Sequence, residues 1–164
     1  CVSVTSHMDH KLLVMLISFG KSQGFCLIPP SHSYIVPVEY HYVNLSLTWT
    51  DAQSYCRGKY TDLVTIESMD DISRLNSLNM DISYAWIGLT DDPLSWKGVT
   101  ANDVNSWRWT ATGKTNVNGY QFWASGQPNN VNGNQFCVVM NSDGAWNDES
   151  CDYSTPFVCY TGKK

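Results

Sequence analysis

The chain has 164 residues, of which 43% are hydrophobic, 13% aromatic and 15% charged, with a net charge of -5; that is enough for one domain with its own core and too little for a second. Six Cys, seven Trp and nine Tyr exclude a disordered or coiled-coil chain, whose signature is few aromatics and many charges. A net negative chain with no Lys/Arg block also lacks the electrostatic footprint that holds a protein on nucleic acid.

No apolar run reaches the roughly 20 residues that a membrane-spanning helix needs. The longest, residues 12–19, follows Met8, His10 and Lys11 and precedes Ser22-Gln23-Gly24, small residues where a signal peptidase reads. A secretion signal is expected, with Met8 as initiator, cleavage after Gly24 and residues 1–7 upstream of the mature protein. A buried strand or short helix is the competing reading of 12–19. Residues 25–39, with Pro29, Pro30 and Pro37, read as a short extended leader, followed by one domain over 40–160 and a tail over 161–164.

Residues 39–45 (EYHYVNL) are aromatic and β-branched with rough alternation, the pattern of a strand. Thr48 with Asp51 behind it starts a helix over 48–59, in which Trp49, Ala52 and Cys56 share one face. Residues 62–66 (DLVTI) form a short strand or extended link. Ser68 then caps a second helix with Ile72, Leu75 and Leu78 as its buried stripe. Residues 84–89 (YAWIGL) make an apolar, central strand, and Gly88 inside it calls for close approach of another backbone. Residues 91–134 are rich in Asn, Gly, Asp, Ser and Thr, with Trp96, Trp107, Trp109, Tyr120 and Trp123 as isolated anchors; a loop of this length is rare and usually functional. The acid pair Asp91-Asp92 is most simply a solvated turn. Residues 136–141, 144–147 and 156–160 supply the closing strands, with a tight turn at Asp143-Gly144.

No two cysteines form a CxxC pair, and His7, His10, His32 and His41 all precede Cys56. Zinc sites and Cys/His nucleophiles are therefore hard to build, and disulfides are the better reading. Without the first 24 residues five cysteines remain, Cys26, Cys56, Cys137, Cys151 and Cys159, an odd number that leaves one over. The sequon Asn44-Leu45-Ser46 makes Asn44 a candidate glycosylation site.

The helix ending in Cys56, Trp86-Ile87-Gly88-Leu89, the stretch YQFWASGQPNN over 120–130, Cys137, Trp146-Asn147-Asp148, Cys151 and Phe157-Val158-Cys159 occur in this order. Together they resemble the C-type lectin-like domain over about residues 40–160, in a form similar to the lectin-like domains of fish and of mannose-receptor type. The resemblance implies an α+β fold in which two helices flank antiparallel sheets and a long loop carries the calcium and sugar site. It also implies two disulfides, Cys56 with Cys159 and Cys137 with Cys151, which leaves Cys26 to pair with another chain, to pair with Cys1 if nothing is cleaved, or to stay free; a covalent dimer through Cys26 is one expectation.

In sugar-binding members of that family one calcium is held by a Glu-Pro-Asn or Gln-Pro-Asp triplet, a Glu before the third disulfide cysteine, and the Asn-Asp after Trp; the sugar's vicinal hydroxyls bond the same ion and side chains. The matching positions here are Gln127, Asn129, Gln135, Asn147 and Asp148, the candidate metal set, with the first four as sugar contacts. Oxygen ligands suit a hard cation, and the resemblance implies a cis bond before Pro128. Only Asp148 is charged, however, and calcium affinity follows ligand charge, so one weak Ca2+ site is expected, or its loss, with Glu149 and Asp152 as neighbouring acids able to help. At the family's second calcium site the acids are replaced by Asn130 and Phe136, and no second ion is expected. Gln-Pro-Asn matches neither sugar class, so no sugar is named. Trp123 and Trp146 are read as core residues rather than sugar-stacking platforms.

The expectation is a secreted glycan-binding module, with a calcium-independent lectin-like domain binding a protein partner as the alternative and an ice-binding relative behind both. The sequence has no HExxH, GxSxG, P-loop or GxGxxG motif and no His beyond His41, so no enzymatic activity is expected.

Overall fold

The computed structural model describes residues 37–78, 82–91, 106–115 and 119–163. The signal sequence, Cys1, Cys26, nearly all of the leader, Asp92 and Trp96 lie outside the described residues.

The chain runs β1 (Glu39–Leu47), α1 (Trp49–Lys59), β2 (Asp62–Leu63), α2 (Met69–Asn76), β3 (Ala85–Asp91), β4 (Trp107–Trp109), β5 (Gln135–Met140), β6 (Trp146–Ser150) and β7 (Thr155–Thr161). Both helices start where a hydroxyl can take an orphan amide. Thr48 is extended and its side chain accepts from the Asp51 N–H, and Ser68 does the same for Asp71. Arg57 and Lys59 in the last turn of α1, and Arg74 in that of α2, complement the helix dipoles. Leu78 falls beyond the end of α2 and is 41% exposed, so the buried stripe is Ile72 and Leu75 alone.

The strands form one sheet in the order β1-β7-β3-β5-β6, with β2 added to β7 and β4 to β3. The fold is α+β, but the sheet is mixed: β3 and β7 run parallel where Trp86 faces Phe157, because both strands reach the sheet centre by crossovers rather than hairpins. β4 lies inside the stretch whose composition reads as loop, since Trp107 and Trp109 are 1% and 3% exposed and pair with Asp91 and Leu89. The same pairing takes Asp91 out of solvent, to 3% exposure, so it is the end of a strand and not a solvated turn. Tyr84 precedes β3 at φ 58, in the left-handed region, instead of opening the strand. The β5–β6 turn closes with Asn141 N–H donating to Ala145 O at 2.8 Å and Gly144 N–H to Asn141 O at 2.9 Å. It is therefore longer than a two-residue hairpin, and Gly144 takes φ 85.

Two packed clusters line the sheet. One joins Ile66, Ile72, Leu75, Ile87, Leu89, Val138 and Trp146; the other joins Trp49, Ala52, Cys56, Trp86, Cys137, Val139 and Phe157. The buried indoles are tied to main chain: Trp49 Nε1 donates to Ile87 O and Trp86 Nε1 to Leu47 O, each at 3.0 Å. Gly88 N–H donates to Val64 O at 2.9 Å, and a Cβ at Gly88 would stand 2.9 Å from Leu63 O, the close backbone approach that its place in the strand requires. The disulfides are Cys56–Cys159, spanning 103 residues, and Cys137–Cys151, spanning 14. The first ties α1 to β7 and the second ties β5 to the end of β6.

Candidate functional site

The site is built on β6 and on the segment laid beside it. Trp146 N–H donates to Phe122 O at 2.7 Å and Ala124 N–H to Trp146 O at 2.9 Å, so residues 122–124 run along the strand. The chain then turns through Gly126 at φ 80, Gln127 N–H donates to Ala124 O at 3.0 Å, and the Gln127–Pro128 bond is cis. Asn130 at φ 44 and Asn132 at φ 60 carry it through a 3-10 turn, Val131–Gly133, into β5; Asn tolerates this left-handed backbone better than most residues.

Trp146 and Asp148 in β6 are buried, at 0% and 2% exposure, and Asn147 and Glu149 are half-buried. The Trp146 ring packs against Trp109, Tyr120 and Trp123 with centroids 5.6, 5.8 and 5.7 Å away. It is a core residue, and half-buried Trp123 packs with it, so neither stands free as a sugar platform.

Asp148 reaches the loop directly. Its Oδ1 accepts the Asn129 N–H at 3.0 Å and its Oδ2 the Asn130 N–H at 2.6 Å. The next amide, Val131 N–H, donates to Gln135 Oε1 at 2.6 Å and to Asn129 Oδ1 at 3.2 Å. Gln135 N–H in turn donates to Asn130 Oδ1 at 3.0 Å. Hydrogen bonds thus join Asn129, Asn130, Gln135 and Asp148 into one cluster.

Gln127 and Asn147 differ from the other three candidate ligands. Gln127 Oε1 and Asn147 Oδ1 are both buried with no hydrogen-bond partner. Such atoms are costly and call for an occupant. Beside Asn147, the Tyr84 hydroxyl donates to Glu149 Oε2 at 2.6 Å. Burial first, and then the Glu149 carboxylate, push the Tyr84 phenol well above its usual range. Glu149 is committed to the Tyr84 hydroxyl and, through Oε1, to the Ser150 N–H at 2.8 Å, and does not join Asp148. Asp152 is exposed. At the second-ion positions, Asn130 Oδ1 is used by Gln135 N–H and Phe136 offers no side-chain oxygen. Among the described residues no group of three or more His, Cys, Asp and Glu is placed to hold a metal.

The candidate set therefore consists of oxygen donors of the kind a hard cation takes, two of them with open valence, but with a single carboxylate. The residues fit calcium in type and only weakly in charge. Sequence reasoning missed Tyr84 and the main-chain amides of Asn129 and Asn130; no side-chain motif marks an amide, and Tyr84 acts across an intervening strand.

The family model described as "Lectin C-type domain" matches residues 45–161. Rabbit (Oryctolagus cuniculus) E-selectin is 36% identical over 128 residues, 74% of this chain and 21% of that protein, so the chain spans about a fifth of that relative. Among solved structures, the mouse scavenger receptor C-type lectin carbohydrate-recognition domain superposes with a TM-score of 0.63 at 26% identity, covering 83% of this chain and 98% of the other. A calcium-independent type II antifreeze protein superposes with a TM-score of 0.59 at 22% identity, covering 76% and 86%, which shows the fold alone.

Proposed function

The chain belongs to the C-type lectin domain family, and from that premise we propose that it is a secreted glycan-binding module working through one weak calcium site rather than an enzyme. The observation that carries this reading is the pair of buried, unpartnered carbonyl oxygens, Gln127 Oε1 and Asn147 Oδ1. They sit in the triplet and in the Asn-Asp step on either side of Asp148, whose carboxylate oxygens each keep a second lone pair after accepting an amide. Gln127, Asn129, Gln135, Asn147 and Asp148 would hold the ion. When bound, calcium would attract vicinal sugar hydroxyls that neutral amides bind weakly. The chain's own residues orient the charged acceptor: the main-chain amides of 129 and 130 fix Asp148.

With one carboxylate, affinity is expected at or weaker than the roughly millimolar end of extracellular calcium modules. The test is a glycan array probed with the full chain in 10 mM calcium (a concentration on the order of ten times that limit) and in EDTA. Calcium-dependent binding to vicinal diols supports the reading. Glycan binding that EDTA leaves intact overturns the calcium mechanism, and no binding to any glycan favours the second reading, a protein partner bound without metal; the amides on Asp148 already supply a metal-free use for that carboxylate.

Three further expectations accompany the proposal. The signal over residues 8–24 directs secretion. Asn44 carries a glycan, consistent with its exposed position in β1. Cys26 links two copies, which a comparison of reduced and non-reduced gels reads directly.

A further inference from the structure

We infer that Asp148 is the positioning residue of the ligand loop: it orders residues 127–135 through the protein's own amides, so that the loop is formed without an ion and calcium adds affinity rather than order. The inference rests on the site proposed above and assigns that carboxylate a second role.

Three successive main-chain amides, 129, 130 and 131, donate to side chains, the first two to the two oxygens of Asp148 and the third to Gln135. Asp148 is 2% exposed, so water cannot readily replace it if it is removed. Hydrogen bonds to a carboxylate are shorter and roughly twice as strong as neutral ones, and 2.6 Å at Asn130 is at that short end. The carboxylate itself is fixed, since β6 is paired to β5 with Val138 opposite Asp148. The rim is closed by a reciprocal pair in which Gln135 takes the Val131 amide and gives its own to Asn130. Each bond joins the loop to a strand or to itself, and none passes through the open oxygens of Gln127 and Asn147. Gln127 Oε1 and Asn147 Oδ1 thus take no part in holding the loop, while Asp148, Asn129 and Gln135 hold it through lone pairs that leave a second one on each oxygen.

The test is amide hydrogen exchange of the full chain, read on peptides covering 127–135 and, as an internal reference, β3. In the wild type, exchange of 127–135 in EDTA should stay within about twofold of that in 10 mM calcium, whereas Asp148→Asn in either buffer should raise it about tenfold or more and leave β3 unchanged. Gln135→Ala, at the rim, should give a smaller rise confined to the same peptide, and it serves if Asp148→Asn does not fold. EDTA raising exchange in the wild type as far as the substitution does would overturn the inference, as would an Asp148→Asn chain that folds with its loop still protected. No sugar is used, so the loop result stands or falls separately from glycan binding.

Discussion

The sheet around Trp86 and the loop around Asp148 are held by opposite means. Trp86, Phe157, Leu63 and the half-cystines Cys56 and Cys159 are all 0% exposed, and burial of apolar area supplies the stability there. The loop over 127–135 buries no hydrophobic side chain, and Val131 at its tip is 50% exposed. It is shaped by polar bonds that converge on one carboxylate. The first region tolerates few changes because its interactions are non-directional and close-packed. The second tolerates changes at its tip while depending on one side chain, which lets the residues that meet a ligand vary on a scaffold that does not.

The largest effect should come from the sheet. Trp86→Ala removes a fully buried indole and its bond to Leu47 O, and should cost about 3–5 kcal/mol in denaturant unfolding. Losing the Cys56–Cys159 disulfide alone, by replacing both of its cysteines with Ala, should follow closely, because that cross-link spanning 103 residues removes on the order of 4 kcal/mol of unfolded-chain entropy in the loop-closure description. Gly88→Ala forces a methyl group against Leu63 O and Val64 O, at 2.9 and 3.1 Å, and should cost about 1–3 kcal/mol. A fully stable Gly88→Ala chain would show that the strand can part from residues 63–64 and would weaken the picture of a rigid sheet.

A pH effect separates the regions further. Tyr40, desolvated and donating to Asp71, and Tyr84, desolvated and donating to Glu149, both have pKa values raised above the ordinary phenol. A raised folded-state pKa contributes stability that is fully present below the unfolded value and is lost as pH rises beyond it. Stability should therefore hold to about pH 10, the unperturbed phenol value, and fall above it. Tyr40→Phe and Tyr84→Phe should each flatten that decline when unfolding is followed at pH 9 and 11 (roughly one unit either side of the same value). The smallest stability change belongs to the open oxygens: Gln127→Ala should shift unfolding by less than about 0.5 kcal/mol, while any calcium-dependent glycan signal falls.

Much of this architecture is legible in the residues. The caps at Thr48 and Ser68, the apolar positions of α1, the tight approach at Gly88 and both cysteine pairs follow from local pattern or family resemblance, because each depends on neighbours in sequence or on a fixed motif. β4 was hidden because three residues, Trp-Arg-Trp, are too short to show a period among polar neighbours. Asp91 looked solvated because its burial comes from pairing with Trp107, a contact that composition does not encode. The candidate ligands were identified as types, but not their division of labour. Placing the strand over 144–147 ended it one residue short of Asp148, which lies inside β6. That Asp148 serves amides 18 and 19 residues earlier is a property of the folded loop alone.

The most direct measurement is the melting midpoint of the full chain, wild type and Asn147→Ala, from EDTA to 10 mM calcium, on the order of ten times a millimolar dissociation constant. For an ion bound at about millimolar affinity, mass action gives roughly 1.4 kcal/mol at that concentration, a rise of a few degrees. The expected result is that small rise in the wild type and none in Asn147→Ala, which lacks the open Oδ1. No rise in the wild type, or the same rise in both chains, would contradict a calcium site completed by the unpartnered oxygens.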